Sequence, residues 1–205
     1  MPENSIPPTR PTIVSPDTHR VRRIPPGQSE TRKWPVLHYG SVPHVDTSAW
    51  TLRMFGLVKQ EKQFTFQQFS ALPSVNVQCD IHCVTRWSRL NNTFSGPSTR
   101  TVAARVDILP AAKFVLLHCE QGFTTNLPLD AFLSEDALFA LYHDNAPLTP
   151  EHGYPVRLVV PRLYFWKSAK WVRGVEFLAE DIPGFWEQNG YHMHGDPWDE
   201  ERFSF

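Results

Sequence analysis

The stretch Pro155-Val156-Arg157-Leu158-Val159-Val160-Pro161 constrains the fold most. It reads as an apolar strand whose two limits are set by proline, which cannot donate to a sheet ladder. Residues 50–56 alternate as a half-buried strand does, residues 75–83 read as another, and residues 113–118 form an apolar run fit for a buried one. Short helices fit residues 66–72, 102–108 and 129–133. Strands and helices intermix without a clean β-α-β alternation, which predicts an α+β fold with a mixed β-sheet and short helices.

Residues 1–33 carry many prolines and basic side chains with few apolar ones, so they cannot build a core and read as an extended N-terminal arm. Residues 34–205 then make one domain, of ordinary size for a chain of 205 residues. A net charge of −1 gives no footprint for nucleic acid or an acidic membrane surface. No apolar run approaches the ~20 residues of a membrane span. Arg22-Arg23 is followed by Ile24-Pro25-Pro26-Gly27-Gln28 rather than an apolar stretch, so no export signal is expected. The three cysteines, Cys79, Cys83 and Cys119, are too few for a disulfide framework and point to a reducing, cytoplasmic setting.

The chemistry concentrates in Cys79-Asp80-Ile81-His82-Cys83-Val84-Thr85-Arg86-Trp87-Ser88. Zinc lacks a second Cys/His pair at its spacing, and His192 and His194 stand apart. A catalytic thiol is open, because His82 and Arg86 flank Cys83 and could depress its pKa. A buried structural cysteine is the third reading, and it is the one taken for Cys79 and Cys119. No Gly-rich phosphate loop and no dinucleotide fingerprint occurs.

The run Asp80 to Ser88 resembles the molybdenum-binding segment of bacterial sulfite oxidase-like oxidoreductases, where one cysteine ligates the metal; Cys83 stands at that position. His152-Gly153-Tyr154 and the proline-bounded strand after it are similar to that family's histidine-to-arginine segment, which grips the pterin. Trp166-Lys167-Ser168-Ala169-Lys170-Trp171 is similar to its phosphate-binding loop, and Trp34-Pro35-Val36-Leu37-His38-Tyr39-Gly40 resembles the segment entering the cofactor site. Four such stretches lie in the family's order. The resemblance implies a sulfite oxidase-type molybdopterin-binding fold, as the cofactor domain alone, and the molybdenum–molybdopterin cofactor.

By that resemblance Cys83 is the metal ligand, and a soft thiolate suits a metal already held by dithiolene sulfurs. His38, His152, Arg157, Lys167, Ser168 and Lys170 are the expected cofactor contacts, Arg157 through a bidentate fork and the lysines as point charges. Arg86 and Tyr191 are the expected catalytic residues on the substrate side, Tyr191 from the spacing Trp186-Glu187-Gln188-Asn189-Gly190-Tyr191. The family's paired arginines after the ligand cysteine are not reproduced, since Trp87 and Ser88 follow Arg86. Taken singly, Arg157, Lys170 and Arg86 also fit ordinary surface charges.

The implied activity is transfer of an oxygen atom to or from a small sulfur-containing or oxyanion substrate, in either direction. No haem, iron–sulfur or flavin motif is present, so electrons are expected to pass to or from an external redox protein. The alternatives are a cofactor-free thiol enzyme using Cys83 with His82, and a molybdopterin-binding protein without turnover.

Overall fold

The structure is a computed structural model that describes residues 10–204. Residues 1–9 of the expected arm lie outside the described residues. The strands are β1 (Thr12–Val14), β2 (Ser29–Glu30), β3 (Thr51–Gly56), β4 (Lys62–Thr65), β5 (Ser74–His82), β6 (Trp87–Pro97) and β7 (Phe114–Cys119). They continue with β8 (Thr124–Pro128), β9 (Leu138–Ala140), β10 (Tyr142–His143), β11 (Ala146–Pro147), β12 (Arg157–Val159) and β13 (Val172–Leu178). The helices are α1 (Phe66–Ser70), α2 (Thr99–Ala103), α3 (Leu129–Phe132) and α4 (Phe185–Gln188).

One sheet runs β1-β5-β6-β10-β11 with β2 also on β6; a second runs β4-β3-β13-β7-β8; β9 and β12 pair between themselves. Parallel pairs (β1 with β5, β3 with β13) coexist with antiparallel ones, so the expected mixed α+β class is what the chain adopts. The period-two alternation of a strand lets the β9–β12 pair serve two cores at once. Phe139 and Leu158 join the large cluster of Trp50, Phe69, Phe132 and Phe177, while Leu138, Ala140 and Val159 join Val77, Ile81 and Phe94. The prolines of the 155–161 run do bound a buried strand, although only its middle is paired.

The longest strand, β6, was not expected, because its polar sequence shows no alternation. Its polar side chains are satisfied inside the fold. Buried Asn92 donates to Cys79 O at 3.2 Å and to Arg89 O at 2.8 Å, and Ser95 Oγ donates to Asn76 Oδ1 at 2.8 Å. A β-carbon at Gly96 would collide with the Phe139 carbonyl, so glycine is what lets β9 pass beside it.

The helix expected at 102–108 instead begins earlier, because Ser98 caps it by accepting the Thr101 N–H at 3.0 Å. It ends early as well, since Ile108 is drawn into a bridge with Val58. Thr65 and Gln68 form a reciprocal capping box at the start of α1.

Residues 10–33 lie along the sheet that carries Cys83. Through β1 they pair with β5, Ser15 Oγ donates to buried Asp136 at 2.6 Å, and Arg23 places a two-pronged fork on Asp80 at 2.8 and 2.6 Å. Gln28 then donates to the Cys83 carbonyl at 2.9 Å, which ties this segment to the site. Among the described residues no helix is long and apolar enough to cross a membrane.

Candidate active site

Strand β5 ends at His82 and β6 starts at Trp87, so Cys83 opens a hairpin whose loop is Val84, Thr85 and Arg86. Arg86 N donates to Cys83 O at 3.0 Å, Cys83 N donates to Trp87 O at 2.9 Å, and Arg86 sits at φ 71°. A type I turn followed by a left-handed residue is the usual way to close a three-residue hairpin. The hairpin aims the Cys83 side chain into a cavity of about 280 Å³.

Five of the seven tryptophans wall this cavity: Trp34, Trp87, Trp166, Trp171 and Trp186. Trp34 stacks flat on His152, with ring centres 3.8 Å apart and planes 9° apart, and also meets His143 at 4.2 Å and Phe94 edge-on at 5.6 Å. Trp186 stacks on Tyr191 at 4.9 Å, and Trp166 meets Tyr191 edge-on at 5.1 Å. Flat apolar walls with a few polar groups suit a ring-bearing ligand.

The two cations of the cavity make their hydrogen bonds to carbonyls. Arg157, from β12, is 1% exposed and donates only to carbonyls: His152 O at 3.0 Å, Ser168 O at 2.7 Å and, weakly, Leu158 O at 3.4 Å. Burial pulls its pKa down to about 9, and among the described residues no carboxylate offsets this. Lys170 Nζ likewise donates to two carbonyls, Leu37 O at 2.7 Å and Glu151 O at 2.5 Å. Burial, then the Arg157 charge, draws its pKa down to about 7. A fully buried guanidinium with a half-buried ammonium beside it, neither in an ion pair among the described residues, makes the cavity electropositive and suits an anionic ligand. His152 is neutral, its pKa lowered to about 4 by burial and by Arg157, and its Nδ1 is buried with no partner among the described residues. Ser168 Oγ accepts the Val160 N–H at 3.0 Å, which leaves its own proton to give.

The expected site residues therefore fall into two groups. Cys83, His152, Arg157, Ser168, Lys170, Tyr191 and, at the exposed rim, His38 all line the one cavity. His38 is held there by Gly40 O at 3.0 Å from Nδ1 and by an edge contact to Trp171. Arg86 and Lys167 are not brought to it. The Arg86 side chain is exposed and turns towards the N-terminal segment, where Gly27 leaves room beside Glu200 and Arg202. Lys167 is fully buried against Glu187. Sequence reasoning did not single out Thr85, Trp87 or Trp171 as wall residues; for Trp171 the signal was its place at the end of the Trp166-to-Trp171 run.

The thiol-enzyme alternative loses its base. His82 and Cys83 are neighbours on an extended chain and face opposite ways. His82 Nδ1 pairs with Ser88 Oγ at 2.8 Å, burial lowers its pKa to about 4, and it does not line the cavity. The Cys83 thiol is itself pushed up by burial, against the pull of hydrogen bonds from Thr85. Among the described residues no three His, Cys, Asp or Glu side chains converge to hold a metal. A metal bound at Cys83 must bring its other ligands with it, as a metal on a dithiolene does. The residues present thus fit a molybdopterin: one thiol and two cationic side chains line the same cavity.

The family profile of the oxidoreductase molybdopterin binding domain matches residues 39–186. The chain belongs to this molybdopterin-binding oxidoreductase family. It is 50% identical over 184 residues to "Uncharacterized oxidoreductase YuiH" of Bacillus subtilis (strain 168), covering 89% of this chain and 93% of that one. It is 28% identical over 186 residues to a protein of Azospira oryzae provisionally named a protein-methionine-sulfoxide reductase subunit, YedZ1, covering 87% of this chain and 69% of that one. Among solved structures, the sulfane dehydrogenase SoxCD from Paracoccus pantotrophus superposes with a TM-score of 0.66 at 19% identity. That match covers 75% of this chain and 43% of the other, and it shows the sulfite oxidase-type fold. The protein is an oxidoreductase, and its family implies the molybdenum cofactor.

Proposed function

We propose that this chain transfers an oxygen atom to or from a small sulfur-containing or oxyanion substrate, and exchanges electrons with a separate redox protein. The observation that carries the reading is the opening of the Cys83 thiol into the same cavity as buried Arg157 and half-buried Lys170, neither of which forms an ion pair among the described residues. When bound, the molybdenum cofactor supplies two-electron redox chemistry coupled to oxygen-atom transfer.

In this reading Cys83 holds the metal through its sulfur. Arg157 and Lys170 bind the cofactor phosphate, and both charges then gain the partner they lack. His152 and Ser168 offer polar contacts to the pterin, and His38 closes the rim. The tryptophan walls lower the local dielectric around these contacts, which strengthens each of them. Tyr191 is the substrate-side residue. Burial and the nearby Cys83 raise its phenol pKa, so Oη keeps its proton and serves as a hydrogen-bond donor. Arg86 faces away from the cavity, so recognition of an anionic substrate does not rest on it in this proposal.

The relative named for methionine-sulfoxide reduction supports including a sulfoxide beside sulfite among the substrates to try. The test is elemental analysis of the purified protein, then steady-state turnover with artificial electron carriers in both directions. The reading expects about one molybdenum per chain and turnover of at least one of the two substrates, slowed in Tyr191→Phe. Protein free of molybdenum, from cells that load other molybdenum enzymes, contradicts it.

A further inference from the structure

The hairpin that presents Cys83 also surrounds its sulfur with donors. Thr85, two residues on and lining the same cavity, places its hydroxyl 3.1 Å from Cys83 Sγ. The backbone N–H groups of Thr85 and Val84 also act to lower the pKa of that thiol, against the larger effect of burial. Successive amides of a tight turn form such anion-binding nests. A sulfur that ligates a metal has lost its proton, so it can only accept, and the Thr85 hydroxyl must be the donor.

The loop is fixed independently of this contact. Gln28 donates to the Cys83 carbonyl at 2.9 Å, and buried Arg202 donates to the Val84 carbonyl at 2.9 Å. The hydroxyl is therefore held beside the sulfur by a backbone that does not depend on it. Its side chain is exposed at the cavity wall, where it contributes little to the core.

We propose that Thr85 is a positioning residue that tunes the metal: its hydroxyl bond to Cys83 Sγ sets how much electron density the thiolate donates. The inference rests on Cys83 being the molybdenum ligand. A hydrogen bond to a ligating sulfur draws charge away from the metal and favours the more electron-rich state, which raises the reduction potential. Removing it lowers the potential. The two turn amides survive any side-chain change, so the metal stays bound in such variants.

The experiment is a potentiometric titration of the holoprotein, followed by the electron paramagnetic resonance of the one-electron-reduced metal, with molybdenum content measured on each sample. Thr85→Val keeps the shape and removes the hydroxyl; Thr85→Ser keeps the hydroxyl and removes the methyl. Thr85→Val is expected to shift the oxidised-to-reduced ratio at a fixed potential by roughly threefold to tenfold, as one charge-assisted hydrogen bond allows. The tenfold limit corresponds to about 59 mV for one electron. Thr85→Ser is expected to match the parent. An unchanged potential in fully loaded Thr85→Val overturns the proposal alone. So does a Thr85→Ser shift as large as that of Thr85→Val, which would assign the effect to packing. Loss of molybdenum in Thr85→Val also overturns it, because the hydroxyl would then seat the metal rather than tune it. A parent protein without molybdenum overturns it together with the reading beneath it.

Discussion

Lys167 Nζ lies 2.7 Å from Glu187 Oε1, and both side chains are fully buried. The ammonium also donates to Asn126 O, Asn126 Oδ1 and Met193 O at 3.0, 2.8 and 2.6 Å, while Trp166 Nε1 donates to the same Glu187 oxygen at 2.8 Å. Lys167 thus locks β8, α4 and the 193 segment behind the cavity wall. Lys167→Ala leaves the Glu187 carboxylate buried and unpaired, a change expected to cost about 3–5 kcal/mol. Urea unfolding of the variant checks this. A loss below about 1 kcal/mol, the range of an exposed pair, would show that the buried pair stabilises the fold no more than a surface one.

Arg157 is expected to govern retention of the cofactor. Arg157→Lys keeps the charge but loses the planar fork that matches phosphate. A charged hydrogen bond contributes about 1.5–3 kcal/mol, so retention should weaken by roughly tenfold to a hundredfold. Molybdenum and pterin content after extended dialysis measures it. Full occupancy in the variant would remove Arg157 from the proposed anion site.

Much of the candidate site was legible because its residues are local to short motifs. Cys83 follows from the Asp80–Ser88 run, and Arg157 from a strand that prolines delimit. What separates Lys167 from Lys170 was not legible: three residues apart in one motif, they differ only in where the turn at Phe165–Lys167 sends each side chain. Lys167 meets Glu187, distant in sequence, and Lys170 meets the carbonyls of Leu37 and Glu151. Arg86 lies off the cavity for a related reason, since its left-handed backbone in the hairpin turn directs the side chain elsewhere. Strand β6 escaped notice because long-range hydrogen bonds, rather than an apolar pattern, hold it in the sheet.

Lys170 carries the pH dependence expected of the anion site. Burial and Arg157 lower its pKa to about 7, while Glu151 and Cys83 act to raise it. His152, with a pKa near 4, stays neutral throughout this range. A phosphate placed beside Lys170 returns its pKa towards the ordinary lysine value, so binding takes up a proton once the free site has lost one. Affinity is then highest below about pH 7 and falls as pH rises through that value. The release rate of the cofactor between mildly acidic and mildly alkaline buffer reads this out, with a slope of at most about tenfold per pH unit. Lys170→Met should flatten the profile. A parent profile already flat across neutrality would contradict the assignment of Lys170.

The central claim, that Cys83 is the protein's ligand to molybdenum, is tested most directly by X-ray absorption at the molybdenum edge of the parent and of Cys83→Ser. The account predicts one fewer sulfur neighbour in Cys83→Ser and loss of turnover, while Cys79→Ser and Cys119→Ser, altered at buried cysteines outside the cavity wall, keep the parental spectrum. An unchanged sulfur count in Cys83→Ser, or full activity in that variant, would contradict it.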